Sequence, residues 1–355
     1  MEKLNSLKQS IFKINTSETS FYIKEYKVVV TNYHVVSNHI VALEDYDENK
    51  QVARVVLVNP EKDIALLMPE KEISLDDTIE LVEGIQVKEK DKAIVMYPFG
   101  MFTVTEGIVS SPKQNVSRDL IQTDAAINPG NSGPLVNEKQ LIINTSKYTN
   151  ADNTGFAVSS AELIEELKNI EKIDKTKLSV VCPSCGTFIT EKTDYCPSCA
   201  KIDKNIFIEK KLQKLSQFVE DAISKLEINP IVARSGYESW VFHNSSQIRI
   251  FVYDNNYLYV TSQLNILPTK DLLPLYDFLL SEDVNPFQFG VYENCIYFSY
   301  RVAITDIFKN DETESVVSDR IKEFAEKADD YDDLFVNKYC KMTSYSKENK
   351  KSDDL

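Results

Sequence analysis

The chain has 355 residues, 40 basic and 55 acidic side chains, a formal net charge of −15 and 43% hydrophobic residues. That length exceeds one ordinary core and predicts two or three domains, while the net acidity excludes non-specific nucleic-acid binding as a main role. No stretch approaches the ~20 apolar residues of a membrane helix, and Met1–Lys8 lacks an apolar run of signal-peptide length, so a soluble, cytoplasmic protein is expected.

Short β-rich segments come first: Phe21–Ile23, Val28–Thr31, Ile40–Leu43, Val52–Val58, Ala93–Met96, Val104–Val109, Leu120–Thr123, Leu135–Val136, Leu141–Thr145 and Gly155–Val158. Many short strands punctuated by turn residues predict a barrel or sandwich. Ser160–Ile173 then reads as a closing amphipathic helix with Leu163, Ile164, Leu167 and Ile170 on one face.

Three polar residues stand out against these strands. Ser132 lies in Pro129-Gly130-Asn131-Ser132-Gly133-Pro134, His34 in Thr31-Asn32-Tyr33-His34-Val35-Val36, and Asp63 before Ile64-Ala65-Leu66-Leu67. A serine hydroxyl is a poor nucleophile that needs a base and an oxyanion site, and His, Asp, Ser is one of the known chain orders for such a triad. Taken singly, each residue reads as a packed histidine, a turn aspartate or a tight turn; the joint order is what points to chemistry.

These segments, with Tyr97-Pro98-Phe99-Gly100, Gly107-Ile108-Val109-Ser110 and Gly155-Phe156-Ala157-Val158-Ser159, resemble the HtrA/DegP-like branch of trypsin-like serine proteases over residues 18–168. The resemblance implies a chymotrypsin-like double six-stranded β-barrel over residues 1–174, acting as a serine endopeptidase on a protein or peptide substrate. Ser132 would be the nucleophile, His34 the general base and Asp63 its orienting carboxylate, with the backbone N–H groups of Gly130 and Ser132 forming the oxyanion hole. The segment Ala125-Ala126-Ile127-Asn128 suggests a small apolar substrate pocket with Ile127 as one wall, and Asp124, too far from the serine for that pocket, is expected in a structural hydrogen-bonding role. The chain departs from the family in two ways. Ser132 is followed by one glycine where the family has two, which keeps a catalytically inactive or latent binding platform as the alternative, and no PDZ-like segment follows.

Residues 178–203 hold Cys182-Pro183-Ser184-Cys185 and Cys196-Pro197-Ser198-Cys199, with ten residues between the pairs. Redox dithiols or disulfides could use such pairs, but the doubled spacing is the signature of a structural Zn²⁺ site with Cys182, Cys185, Cys196 and Cys199 as ligands. The segment is similar to bacterial zinc ribbons, and a rigid spacer or docking knob is the role expected of it.

Residues 205–345 change pattern again. Helices are predicted at Phe207–Leu226, at Lys270–Leu280 with a kink at Pro274, and at Glu314–Tyr339. Strands are predicted at Ile231–Ala233, Trp240–His243, Gln247–Tyr253, Tyr257–Gln263, Phe287–Tyr292 and Ile296–Ala303. The order of elements, with Asn265-Ile266-Leu267-Pro268 and Ile304-Thr305-Asp306, resembles the YbjN-like, type III secretion chaperone-like α+β domain. That resemblance implies partner binding or self-association and supplies no catalytic residues. Trp240 and His243 are expected in core and interface, and a disordered tail is expected at the C-terminus (346–355).

Overall fold

The computed structural model describes residues 8–14, 18–75, 81, 87–99, 101–115, 119–126, 134–136, 142–147, 155–208, 212–236, 238–244, 246–268, 270 and 272–339. They fall into two compact units divided between Lys211 and Leu212.

The first unit opens with six strands: β1 (Ile11–Ile14), β2 (Glu18–Ile23), β3 (Val28–Thr31), β4 (Ile40–Glu44), β5 (Lys50–Asn59) and β6 (Ile64–Pro69). They pair in the order β5-β4-β1-β2-β3-β6, and β6 returns to β5, so the ring closes. Its strands are apolar on both faces. In β3, Val29 is buried in one cluster with Phe12, Leu43 and Leu67, while Val28 and Val30 join a second cluster with Phe21 and Leu66. Alternate residues of a strand face opposite sides, so a run of valines can fill a barrel and still present an apolar outer wall.

That outer wall is covered within the same unit. Six strands, β7 (Lys92–Phe99), β8 (Met101–Asn115), β9 (Asp119–Thr123), β10 (Pro134–Val136), β11 (Ile142–Lys147) and β12 (Gly155–Val158), form a second closed barrel. Ile94, Leu120, Phe156 and Val158 pack in the cluster that holds Val28 and Val30. The helix Ser160–Asn169, capped by the Ser159 side chain, adds Leu163 and Leu167 to it. The helical period expected to Ile173 ends sooner, in a 3-10 turn at Ile170–Lys172 that still buries Ile170.

The cysteine-rich segment is not a free spacer. β5 is ten residues long, but β4 covers only its Lys50–Arg54 half. The edge left open beyond it is taken in parallel by β13 (Ser179–Val181), with Ser179 opposite Leu57 and Val180 opposite Val58. β14 (Phe188–Ile189) pairs with β13. Val180, Cys182, Ile189, Cys196 and Ile202 are buried in the cluster of Val29 and Leu67, so a segment too small for its own core uses the barrel's.

The second unit is one antiparallel sheet in the order β15-β16-β17-β19-β18, from Ser239–His243, Gln247–Tyr253, Tyr257–Ile266, Cys295–Ala303 and Gln288–Tyr292 respectively. Inward Ile248, Ile250, Leu258, Val260 and Phe298 pack with Phe218, Val219 and Ala222 of the helix Lys214–Ser224 and with Ile321, Phe324 and Ala328 of the helix Asp311–Lys338. Several expected elements are corrected. The helix expected from Phe207 starts at Lys214, because Phe207 and Ile208 are buried with the first barrel. Ile231–Ala233 is helical, since Pro230 stands in a first turn capped by the Asn229 side chain. Pro274 falls in the first turn of Leu272–Ser281, where its missing N–H has no intrahelical acceptor to lose. Trp240 is buried, whereas His243 is exposed at its strand end and is not part of the core. The C-terminal tail lies outside the described residues.

Candidate active site and metal centre

β3 ends at Thr31, whose hydroxyl donates to the Thr19 carbonyl at 2.9 Å. The chain then turns through buried Asn32 into a 3-10 helix at Tyr33–Val35, which exposes His34 between half-buried Tyr33 and buried Val35. Two backbone bonds close this turn, Val35 N–H to Asn32 O and Val36 N–H to Tyr33 O, each 3.2 Å.

Asp63 meets His34 from the β5–β6 turn. The imidazole Nδ1 lies 2.9 Å from Asp63 Oδ2 and 3.1 Å from Oδ1. The His34 backbone N–H donates to Oδ1 at 3.0 Å. A carboxylate only accepts, so Nδ1 must carry the proton and the neutral ring has Nε2 bare, the form of a general base. The Asp63 hydrogen bond lifts the His34 pKa above the ordinary histidine value; burial opposes it, and the charges of Asp63 and Glu18 add to the rise. Burial pushes the half-buried Glu18 carboxyl up in turn, against the opposing pull of His34.

Asp63 adopts φ +52°, a left-handed conformation that costs a non-glycine residue energy unless its surroundings fix it. Two sets of contacts do so. Asn32 Nδ2 donates to the Asp63 carbonyl and to Oδ2, at 3.0 Å each. On the other side, Glu166 of the closing helix, only 2% exposed, accepts from Asn59 Nδ2 at 2.9 Å and Lys62 Nζ at 2.8 Å. Asn59 Oδ1 accepts the Lys62 N–H at 3.0 Å, so the turn leading into Asp63 is held by helix and strand together.

Ser132, Gly130, Ile127 and Gly133 lie outside the described residues. The strand that leads toward them is described. The Asp124 carboxylate accepts the Ile108 N–H at 2.7 Å, in keeping with a structural role. The Thr105 hydroxyl donates to the Ala126 carbonyl at 2.9 Å. Gly107 has a steric reason: a β-carbon there would lie 2.5 Å from both the Ala125 nitrogen and Asp124 Oδ1.

Residues 18–143 match the family model of the trypsin-like peptidase domain. This part of the chain is similar to trypsin-like peptidase domains. A probable periplasmic serine endoprotease, DegP-like, of Pseudomonas putida is 40% identical over 134 residues, which cover 34% of this chain and 27% of that protein. A protein of the same description from Chlamydia trachomatis is 38% identical over 130 residues, 34% of this chain and 25% of that one. A putative protease, Do-like 13, of Arabidopsis thaliana is 34% identical over 128 residues, 33% of this chain and 26% of its own length. The chain thus spans about a quarter of the length of the curated relatives it matches. The relatives at 34–40% identity carry names of serine endoproteases or proteases, consistent with a domain of the serine-type endopeptidase class.

The four cysteines of the ribbon segment converge. The sulfurs of Cys182, Cys185, Cys196 and Cys199 all lie within 4.8 Å of one another. Cys182 and Cys199 are 3.6 Å apart, as are Cys185 and Cys196. A tetrahedral zinc with bonds of about 2.3 Å sets its sulfurs about 3.8 Å apart, so the donor set fits that ion in type, number and spacing. Each knuckle is closed by backbone bonds, Cys182 N–H to Thr187 O and Cys196 N–H to Ala200 O, and Gly186 takes the left-handed φ of +73° that the first turn requires. The Thr187 hydroxyl and N–H beside Cys185 lower that thiol to about 6, while the hydrogen bond to Cys185 pushes Cys199 up to about 12.

Sequence reading assigned no role to Asn32, Tyr33 or Glu166. Asn32 and Tyr33 sit inside the histidine motif, where a buried asparagine next to a candidate base was the available signal. Glu166 flanks the apolar stripe of its helix, and an acid at the margin of a buried face is the mark of a satisfied internal partner.

Proposed function

We propose that the chain is a serine endopeptidase in which His34 takes the proton of Ser132 as its oxygen attacks the scissile carbonyl, then returns it to the leaving amine. Asp63 fixes the Nδ1–H tautomer and stabilises the imidazolium, and the N–H groups of Gly130 and Ser132 receive the oxyanion. The observation that carries this reading is the His34–Asp63 pair, held in base geometry within the residues that the peptidase model matches. Ile127 walls a small apolar pocket, giving cleavage after small aliphatic residues. Cys182, Cys185, Cys196 and Cys199 hold one zinc ion, a closed four-sulfur site whose chemistry is structural and has no open position for a reactant. Thiols kept for a metal suit a reducing, cytoplasmic setting. The second unit, an α+β chaperone-like module, recruits a partner protein or another copy of the chain.

The single glycine after Ser132 favours one other reading, a protease-fold platform that binds peptide without cutting it. Labelling with a fluorophosphonate separates the two. An enzyme labels at neutral pH in the wild type and not in Ser132→Ala; a platform labels in neither.

A further inference from the structure

We propose that Tyr33 is a positioning residue that couples the His34 turn to the four-cysteine module, so that the geometry of the base follows metal occupancy. The inference rests on the peptidase reading for its functional meaning, but its structural content stands apart from it.

Tyr33 precedes His34 and opens the 3-10 turn that presents it. Its hydroxyl lies 3.1 Å from the carbonyl of Asn205 and 3.1 Å from that of Ile206, a shared donation across more than 170 residues of chain. Those carbonyls belong to the short turn Lys204–Ile206, whose entry is fixed by the ribbon: Ile202 N–H donates to Asp194 O at 3.0 Å, and Tyr195 bridges Lys201. Burial joins the same two parts. Val35 and Val36, on either side of the turn's last bond, share one cluster with Cys182, Cys196, Ile202 and Ile206. Ile189 of the ribbon lies in that cluster as well.

A module of this size owes most of its order to its metal. Without the ion, the four thiols no longer hold the two knuckles together, and the segment Ile202–Ile206 loses the fixed end that places its carbonyls. The Tyr33 hydroxyl then has no set acceptor, and the wall of Val35 and Val36 is loosened. Burial, with the nearby charges of Asp203 and Asp63, pushes the Tyr33 hydroxyl up, so it remains a donor across the working pH range. The module is therefore part of the active-site scaffold. Metal loss would slacken the imidazole against Asp63 without touching any residue that meets substrate.

The test uses the full chain, zinc-loaded and chelated, as wild type and as Tyr33→Phe. Amide hydrogen exchange at Val35 and Val36 reports the turn, NMR titration of His34 reports its contact with Asp63 and Glu18, and fluorophosphonate labelling reports Ser132. Tyr33→Phe is expected to keep its zinc, to speed exchange at both valines about fivefold, the worth of one hydrogen bond, and to move the His34 titration down toward the ordinary value. Chelation should do the same to the wild type and add less to Tyr33→Phe. The proposal is overturned if zinc is removed and the exchange at Val35 and Val36 does not change, or if zinc-loaded Tyr33→Phe exchanges and titrates like the wild type. Should chelation unfold the whole first unit, the zinc-loaded variant decides alone. Metal-dependent exchange with no labelling in any form would instead sink the peptidase reading and leave the coupling in place.

Discussion

Asn32 and Asp63 hold each other through a single amide group: Asn32 Nδ2 donates at 3.0 Å both to the Asp63 carbonyl and to its carboxylate. One side chain thus fixes the backbone of the aspartate and the rotation of its acid. Asn32→Ala removes a buried bond to a charged group, worth roughly 1.5–3 kcal/mol. We expect fluorophosphonate labelling to slow about ten- to a hundredfold, with the chain still folded by circular dichroism. Unchanged labelling would mean that Asp63 keeps its place without Asn32.

The pH profile follows from the sign of the His34 shift. A base must be neutral, and the Asp63 hydrogen bond raises the pKa of His34, so the acid limb of activity should lie above the ordinary histidine value of about 6.5. Asp63→Asn removes the cause. Its acid limb should move to lower pH, while the maximal rate falls on the order of 10⁴-fold through loss of the correct tautomer. The stability consequence has the opposite sense along the pH axis. The protonated pair stabilises the fold fully below the unfolded histidine pKa, and that contribution is lost as pH rises through the folded one. Glu18, whose charge also raises the His34 pKa, adds to the raised acid limb and to the low-pH stabilisation.

Glu166 is expected to matter to catalysis although it lies on the closing helix. Glu166→Ala removes one of the two carboxylates on the Lys62 ammonium, which keeps Glu165 at 2.6 Å, and frees Asn59, at a cost of roughly 1.5–3 kcal/mol for a lost buried bond to a charged group. Thermal unfolding should show the loss of stability. The labelling rate should drop in the fraction that remains folded, because the turn before Asp63 is released. A variant that loses stability and labels at the wild-type rate would show that Asn32 alone suffices to place the acid.

Metal analysis of natively purified chain should find one zinc per molecule. Cys182→Ser, which changes a ligand that is 1% exposed and packed in the barrel cluster, should lose the ion and lower the unfolding midpoint of the first unit. Cys185→Ser, at an exposed ligand, should weaken binding with a smaller loss of stability. Absence of zinc in the wild type would remove the metal assignment.

β1 and β6 were not named, but ten of the twelve barrel strands were legible in sequence because short apolar runs bounded by turn residues are local signals. So were the histidine and aspartate motifs and the doubled cysteine spacing. What the sequence reading missed depends on distance along the chain. Phe207 and Ile208 carry a helical pattern, yet they are claimed by the first barrel and the helix waits until Lys214. Nothing local tells a phenylalanine which of two cores it will join. Ile231–Ala233 looks like a strand by its β-branched residues, but Pro230 preset the helical φ and Asn229 capped it. The links Tyr33–Asn205 and Asn59–Glu166 join positions 172 and 107 residues apart, and no spacing rule reaches so far.

The parallel seat of β13 on β5 has a practical consequence for anyone dissecting the chain. A fragment cut at the end of the peptidase match would strip Leu57 and Val58 of β13 on one side, leaving only β6 on the other, and bare the valine-rich wall behind them. Bare strand edges of that kind recruit other chains. Expressed alone, residues 18–143 should therefore precipitate or self-associate, and the shortest piece expected to stay in solution reaches to residue 208, where the last side chain of that wall is found.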